Sequence, residues 1–220
     1  MNAVCLLSGG LDSCVAAAIA ASQGYTLHAL TFDYGQRSRT EIEHARSVAE
    51  GLGVADHNVI DLDLRRLGGS ALTDDIEVPE TAQEGIPVTY VPARNTIFLG
   101  IALAQTEVIK ADSIFIGVTA VDYSGYPDCR PEYIEAMQRV AELGTKQGVE
   151  GNPPVIHTPV IDLAKHEIIR RGIELDAPLE HTWSCYRDGE KACGRCDSCR
   201  LRLEGFARAG VEDPIAYADN

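Results

Sequence analysis

The chain is short of the features that would place it in a membrane or a secretory pathway. Its 220 residues include one tryptophan and only 6% aromatic residues. No apolar run approaches the roughly 20 residues that a membrane-spanning helix needs. Residues 3–7 are apolar, but Gly9, Gly10 and Asp12 end the stretch too early for a signal peptide. We therefore expect a cytoplasmic protein without membrane contact.

Positive charge is also scarce. The chain carries 19 Lys and Arg against 33 Asp and Glu, a formal net charge of -14. Because nucleic-acid affinity depends on neutralising phosphates with basic side chains, we expect no direct nucleic-acid partner. The hydrophobic share of 45% is enough for one substantial core, which favours one main domain.

Regular alternation of strands and helices organises the first 180 residues. Apolar runs predict strands at 3–7, 27–32, 57–62, 113–118 and 155–160, and helical periodicity predicts helices at 11–23, 41–52, 96–109, 131–147 and 163–175. Residues 63–87 read as a surface loop. The pattern predicts a Rossmann-like α/β fold, mainly parallel, with helices on both faces of the sheet. We expect this domain to span residues 1–180, with residues 181–220 packed on it.

Two familiar phosphate-binding motifs are missing, and a third takes their place. The chain has neither G-x-x-x-x-G-K-[ST] nor G-x-G-x-x-G. Between the first predicted strand and helix lies Ser-Gly-Gly-Leu-Asp-Ser, residues 8–13, where glycines allow a tight turn and the helix start attracts anions. The predicted nucleotide-binding residues here are Leu7, Ser8, Gly9, Gly10, Leu11, Asp12, Ser13 and Cys14. Asp12 is suited either to cap the helix or to help hold Mg²⁺. The alternative is a Ser/Gly-rich turn that binds nothing.

Four of the seven cysteines cluster near the C-terminus. Cys185, Cys193, Cys196 and Cys199 have the spacing C-x7-C-x2-C-x2-C, which lets four thiolates surround one ion. An iron–sulfur cluster is the main rival, but the Cys-Pro that usually completes such a motif is absent. A closed four-thiolate site leaves no open coordination position. We therefore predict one structural Zn²⁺.

Polar residues follow two predicted strands and precede one apolar helix. In open α/β sheets ligands bind at the carboxyl ends of strands. Arginine can hold a carboxylate bidentately, and tyrosine rings can stack on a flat base. The candidates are Arg94 and Asn95 for nucleotide, and Asp33, Tyr34, Gln36, Arg37, Asp122, Tyr126, Asp128 and Arg130 for substrate. Solvated loops are the alternative reading for each group.

The 8–13 segment resembles the S-G-G-x-D-S motif of the PP-loop ATP pyrophosphatases. With residues 31–36, 91–95, 123–130 and the four cysteines, the chain from about residue 5 to 206 resembles the 7-cyano-7-deazaguanine synthase family. One departure is Ala93, where some members have glycine; a tighter backbone there would shift Arg94. The resemblance implies an adenine nucleotide alpha hydrolase-like fold and a homodimer.

The resemblance also implies a reaction. 7-Carboxy-7-deazaguanine, ammonia and ATP, with Mg²⁺, would give the nitrile through an adenylated acid and an amide, on the route to queuosine. Ser8, Asp12 and Ser13 would be the catalytic residues. Three alternatives remain open: a PP-loop tRNA thiolase using Cys14 or Cys129, another ammonia-dependent adenylating ligase such as a NAD or GMP synthetase, and a non-catalytic zinc adaptor.

Overall fold

Five parallel strands form the sheet at the centre of the fold. The computed structural model describes residues 1–77, 85–120 and 125–218. The strands are β1 (Asn2–Leu6), β2 (Thr26–Asp33), β3 (Asp56–Asp61), β4 (Ser113–Ile116) and β5 (Val155–His157). Their order is β3-β2-β1-β4-β5, and every neighbouring pair is parallel. This arrangement confirms the predicted Rossmann-like class.

Seven α-helices connect and extend the strands. They are α1 (Leu11–Ser22), α2 (Thr40–Gly51), α3 (Arg94–Ile109), α4 (Pro131–Gly144), α5 (Lys146–Val149), α6 (Lys165–Glu174) and α7 (Asp197–Ala209) in the described residues. None of these helices is both long and apolar enough to cross a membrane. The predicted loop at 63–87 contains a short 3₁₀ turn, Leu64–Arg66, while residues 78–84 lie outside the described part.

One helix prediction was wrong in detail, and one helix was not predicted. The predicted helix at 131–147 is divided at Thr145, whose extended backbone (φ −114°, ψ 155°) ends α4. The Thr145 hydroxyl then accepts a hydrogen bond from the Gly148 N–H and caps α5. Helix α7 was not predicted at all, because its first turn carries Cys199 and reads as part of the cysteine motif.

Alternating side chains of the strands belong to two separate hydrophobic clusters, one on each face of the sheet. Cys5, Ala29 and Phe115 face the cluster that contains helices α1 and α6. Their neighbours in the strands, such as Val4 and Leu30, face the cluster beneath α3 and α4. This period of two places apolar layers on both sides of the sheet, as predicted.

A buried ion pair joins two parts of the C-terminal segment, and Arg202 Nη2 also donates to the Leu179 carbonyl of the domain at 3.4 Å. The Arg202 guanidinium contacts Asp213 through Nε–Oδ2 at 2.8 Å and Nη2–Oδ1 at 2.9 Å, and the two side chains are 1% and 4% exposed. Arg202 Nη1 also donates to the Thr182 hydroxyl at 2.7 Å, and the Tyr217 hydroxyl donates to Asp213 at 2.6 Å. Phe206 of α7 packs in the same core cluster as α1. The domain division at residue 180 stays a prediction.

Breaking this ion pair on one side should be strongly destabilising. Arg202→Met leaves the Asp213 carboxylate buried without its cation, so we expect the free energy of unfolding to fall by about 3–5 kcal/mol. Adding Asp213→Leu should recover part of that loss. Chemical denaturation measures both variants. The control is Arg208→Met on the same helix, an exposed arginine 3.8 Å from Glu204, with an expected change within about 0.5 kcal/mol. An Arg202→Met loss as small as that of the control would contradict the assignment.

Candidate active site

The candidate site lies where the strand order reverses. β1 and β4 are neighbours, and the chain leaves them toward opposite edges of the sheet, which opens a crevice at their carboxyl ends. A cavity of about 300 Å³ occupies this position. Its lining includes Leu7, Ser8, Gly10, Leu11, Asp12 and Ser13 of the predicted phosphate loop, together with Tyr34, Gln36, Arg94, Asn95 and Tyr126. The fold therefore brings most predicted nucleotide and several predicted substrate residues to one cavity.

Gly9 sets the shape of the phosphate loop. Its φ of +81° lies in the left-handed region. A Cβ there would lie 2.3 Å from the Glu41 carbonyl oxygen and 2.8 Å from the Ala45 nitrogen. Only glycine fits this turn, which lets the loop pack against α2.

The two serines of the motif have different environments. Ser13 is 6% exposed, and its hydroxyl donates to the Gly10 carbonyl at 2.9 Å while accepting from the Ser8 N–H at 3.2 Å. Ser8 is exposed, and its Oγ lies 3.0 Å from Ser13 Oγ. Ser13 therefore holds the loop in position, and Ser8 presents its hydroxyl at the opening of the cavity.

Asp12 is paired with a lysine from a distant helix. Lys165 Nζ lies 2.7 Å from Asp12 Oδ1 and 2.8 Å from Oδ2, and both side chains line the cavity. Asp12 does not cap α1, whose N-cap residue, Gly10, has no side-chain cap. A lysine at the start of α6 is unfavourable for the helix, because the positive end of the helix dipole lies there. Its presence at this position is a sequence signal that Lys165 has a role in the site.

Arg94 lies beside two neighbouring aromatic rings at the side of the cavity. Its Nη1 donates to the Tyr34 hydroxyl at 3.3 Å, and its guanidinium carbon lies 5.7 Å from the Tyr34 ring centroid and 5.9 Å from that of Phe98. Burial raises the pKa of Tyr34 to about 12, so the phenol stays neutral. The arrangement presents a fixed cation beside flat apolar surfaces.

Asn95 and Asp128 fix the start of α3. The Asn95 N–H donates to Asp128 Oδ2, and its side-chain amide donates to the Asp128 carbonyl, both at 3.0 Å. Both residues are nearly fully buried, so Asp128 lies behind the cavity, where it accepts from an N–H at the N-terminus of α3. Ala93 precedes them with φ +52°, a left-handed backbone that favours glycine.

The other predicted residues that follow β2 shape the turn. The Gln36 amide accepts from the Tyr34 N–H at 2.8 Å and donates to the Phe32 carbonyl at 3.2 Å. Asp33 accepts from the Gly35 N–H at 3.2 Å. Arg37 is directed to the Asp74 carbonyl at 2.8 Å and does not line the cavity.

A second cavity of about 470 Å³ adjoins the first. Tyr126 lines both cavities, and its hydroxyl lies 2.9 Å from Thr89 Oγ1. Arg130 lines only the second, with Nε donating to the Pro127 carbonyl at 3.1 Å. Asp122, the remaining predicted substrate residue, lies outside the described residues.

The segment before the cysteine cluster forms a wall of the site, which the sequence did not indicate. The Trp183 N–H donates to the Gly9 carbonyl at 2.8 Å, and the indole stacks on His44 at 5.1 Å. Trp183, Ser184, Tyr186 and Ser198 all line the main cavity. No sequence motif marks these residues, because their role arises from a contact 174 positions away along the chain.

The four predicted metal ligands do converge. The sulfur atoms of Cys185, Cys193, Cys196 and Cys199 lie within 4.8 Å of one another, with Cys193 Sγ 3.9 Å from Cys199 Sγ. Thiolates at the corners of a zinc tetrahedron lie about 3.8 Å apart. Backbone N–H groups point at the sulfurs, including Cys193 N to Cys185 Sγ at 3.4 Å. The cluster is therefore suited to hold one metal ion.

The isolated cysteines have different surroundings. Cys14 is fully buried in the core and does not line the cavity, and burial raises its pKa to about 12. A thiol of this kind is not a reactive nucleophile. Cys129 lines the cavity and accepts from the Asn95 side-chain amide at 3.4 Å.

Glu41 is a cavity residue that sequence reasoning missed. It lies in the first turn of α2 and lines the main cavity. Burial raises the pKa of its carboxyl to about 7, against the lowering effect of the Arg94 charge. A half-buried glutamate in a cleft, with a pKa shifted toward neutrality, is typical of functional sites.

The sequence matches, over residues 2–210, the family model described as Queuosine biosynthesis protein QueC. It is 61% identical to the 7-cyano-7-deazaguanine synthase of Saccharophagus degradans, covering 99% of this chain and 98% of that protein. Identity to the 7-cyano-7-deazaguanine synthase of Thermosynechococcus vestitus is 58%, covering 99% of this chain and 96% of that protein.

Two solved structures are similar in fold. One is a 4-thiouridine synthetase in complex with RNA and ATP, with a TM-score of 0.50 and 16% identity over 98% of this chain and 47% of that chain. The other, from Methanocaldococcus jannaschii, is described as a predicted subunit of tRNA methyltransferase, with a TM-score of 0.50 and 15% identity over 100% and 94%. At such low identity the likeness concerns the fold alone.

Gly117, which directly follows β4, should be as restrictive as Gly9. A Cβ there would lie 2.5 Å from the Ser13 nitrogen and 2.6 Å from the Asp12 carbonyl carbon. We expect Gly117→Ala to cost about 1–3 kcal/mol of stability, because backbone atoms cannot move aside, and to weaken ATP binding by displacing the start of α1. Thermal unfolding and calorimetric titration with ATP measure both effects.

Gly100→Ala is the matched control, because nothing lies within 4 Å of a Cβ at that helical position. It should be neutral or gain up to about 1 kcal/mol. Equal behaviour of the two variants would show that the close approach at Gly117 does not matter.

Proposed function

The chain belongs to the queuosine biosynthesis protein QueC family, and from that membership we propose that it is an ATP-dependent carbon–nitrogen ligase. The proposed reaction converts 7-carboxy-7-deazaguanine and ammonia into 7-cyano-7-deazaguanine. The observation that carries this proposal is the 61% identity, over nearly the whole chain, to a relative named 7-cyano-7-deazaguanine synthase. The cavity at the phosphate loop supports it with the groups that such a reaction requires.

A carboxylate is a poor electrophile, so its oxygen must first become a leaving group. We propose that the carboxylate attacks the α-phosphorus of ATP, with the pyrophosphate bound by Ser8, Gly10 and the N-terminus of α1. Ammonia then displaces AMP and gives the amide. Activation of the amide oxygen by a second ATP, followed by loss of AMP and of the nitrogen protons, gives the nitrile. The scheme needs no covalent nucleophile on the protein, which agrees with a buried Cys14.

The aromatic side of the cavity suits a flat heterocycle with an acidic substituent. Tyr34, Phe98 and Tyr126 offer ring faces for stacking, and Arg94 offers a cation to the carboxylate. Lys165 is a second cation in the same cavity. We propose that substrate lies between this aromatic side and the phosphate loop.

We assign Zn²⁺ to the four-cysteine cluster and Mg²⁺ to the bound ATP. Four converging sulfurs with no fifth protein ligand in the described residues suit a closed zinc site better than a catalytic one. The metal would supply no chemistry there; it would hold the segment that carries Trp183, Ser184 and Tyr186 against the phosphate loop. Mg²⁺ would neutralise charge on the phosphates as pyrophosphate leaves.

Three finer expectations belong to this proposal. We propose a homodimer, a cytoplasmic location where ATP and ammonium are available, and no direct nucleic-acid partner. The net charge of -14 supports the last point. Sedimentation of the purified protein tests the dimer, and ATP turnover with and without added tRNA tests the dependence on nucleic acid.

The activity itself is tested by mass spectrometry. Purified protein incubated with 7-carboxy-7-deazaguanine, ammonium, ATP and Mg²⁺ should yield the nitrile, with the amide appearing first. Ser8→Ala should slow the reaction by about 10²-fold or more, because it removes a hydroxyl aimed at the leaving pyrophosphate. Ser22→Ala, at the far end of α1, is the control and should leave the rate unchanged. Unchanged acid in the presence of bound ATP would reject the substrate assignment.

The metal is tested by elemental analysis. We expect about one zinc per chain in the purified protein and well below one in Cys193→Ser, which removes one of four ligands. Cys5→Ala, a core cysteine outside the cluster, should keep its zinc. The Cys193→Ser variant should also bind ATP more weakly, because the wall formed by Trp183 and Tyr186 is no longer fixed. Full zinc occupancy in that variant, or iron in place of zinc, would refute the assignment.

A further inference from the structure

Glu41 lies directly beside the proposed reaction centre. Its main-chain carbonyl is the atom that a Cβ on Gly9 would strike, at 2.3 Å, so α2 packs against the phosphate loop at this residue. Its side chain lines the same cavity as Ser8 and Arg94. The carboxylate is close enough to Arg94 for that charge to act on it, so Glu41 joins the phosphate loop, through its main chain, to the cation of the aromatic side.

The carboxylate of Glu41 also lacks the kind of protein partner that nearby acids have. Asp12 is bound by Lys165, Asp188 by the Thr40 hydroxyl and Asp213 by Arg202. The Glu41 carboxylate makes no hydrogen bond or ion pair with the part of the chain that the structure describes. A carboxylate that faces a cavity without a protein partner is available to a ligand.

The ionisable groups around Glu41 come from three segments. Arg94 on α3 favours the charged carboxylate, while Asp188, which follows the first cysteine of the cluster, disfavours it. Tyr34 and Tyr186 also interact with it electrostatically. Burial outweighs the effect of Arg94 and raises the pKa of Glu41 to about 7. The group therefore accepts and releases protons near neutral pH.

We propose that the Glu41 carboxylate is the general base that removes a proton from the attacking nitrogen during amide formation, an inference that rests on the proposed ligase function. The nitrogen lone pair forms the new C–N bond at the activated carboxyl carbon. The bond from that carbon to the AMP oxygen breaks, and its electron pair leaves on AMP. The N–H proton passes to Glu41 and then to solvent through the open side of the cavity. The co-reactants, ammonia and ATP, are those of the proposed reaction.

The decisive variant is Glu41→Gln, which keeps the size of the side chain and removes the base. We expect amide formation to slow by about 10²–10⁴-fold. The rate of acyl-adenylate formation should stay within a few-fold of wild type. It is measured as the exchange of labelled pyrophosphate into ATP that depends on added 7-carboxy-7-deazaguanine. Glu43→Gln, an exposed residue on the same helix turn, is the control and should change neither rate.

The pH dependence separates a base from a structural residue. Since a base must be deprotonated to act, the wild-type amide rate should rise through about pH 7, and this inflection should be missing in Glu41→Gln. Glu41→Asp, which keeps a carboxylate on a shorter side chain, should retain the inflection with a lower rate. At high pH free ammonia needs less help from a base, so the deficit of the glutamine variant should shrink.

Thermal stability provides a readout that is independent of turnover. The folded-state pKa of Glu41 lies above its unfolded value, so the charged carboxylate destabilises the fold once the pH exceeds both values. Glu41→Gln should therefore raise Tm at pH 8 relative to wild type, and by less at pH 5. A Tm difference that does not depend on pH would contradict a carboxylate with a raised pKa at this position.

The outcomes are distinguishable. No amide or nitrile from the wild type would overturn both the ligase function and this inference. An active wild type with an equally active Glu41→Gln, or with an unchanged pH inflection, would overturn the inference and leave the function standing. Loss of pyrophosphate exchange together with amide formation in a folded Glu41→Gln would assign Glu41 to substrate binding and overturn its role as a base.

Discussion

Close backbone contact around the phosphate loop is the constraint on which the rest of the site depends. Gly9 leaves no room for a side chain against α2, and Gly117 leaves none against the first turn of α1. The Trp183 N–H closes the third side by donating to the Gly9 carbonyl. The loop after β1, the start of α2, the end of β4 and the C-terminal segment are thereby held within hydrogen-bonding or van der Waals distance. Many cavity residues take their positions from these four segments, and others come from α3, α6, the turn after β2 and the loop before α4.

The distribution of charge inside the cavity differs from that of the whole chain. A net charge of -14 would repel the anionic substrates of the proposed reaction. The cavity nevertheless contains Arg94 and Lys165, and the charge of Lys165 is balanced by Asp12. Because the groups lie in a partly enclosed space, their fields act at short range and are little screened by salt. The local arrangement thus determines which molecules bind, and the acidic surface acts at longer range.

Strand and helix positions were predictable, since they depend on local periodicity, and the phosphate loop was recognisable because its residues are consecutive. The rule that ligands bind at the carboxyl ends of strands pointed to Tyr34 and Tyr126, and the segment before an apolar helix pointed to Arg94; all three line one cavity. What failed depends on distant contacts. Asp128 reads as a substrate ligand until its hydrogen bonds to Asn95 place it behind the cavity. Glu41 reads as one of several acids in an amphipathic helix, and only the packing of α2 against Gly9 makes it a cavity residue.

The cysteine cluster shows why a structural metal site and an active site need not be separate. The sequence predicts that four thiolates fold the C-terminal segment, and their geometry suits that role. The same segment carries Trp183, Ser184 and Tyr186 into the cavity wall. The Arg202–Asp213 pair fastens its other end, with Arg202 also bonded to Thr182, the residue before Trp183. A metal that only orders this segment would therefore still determine the shape of the cavity, because the residues between its two anchors form one side of it.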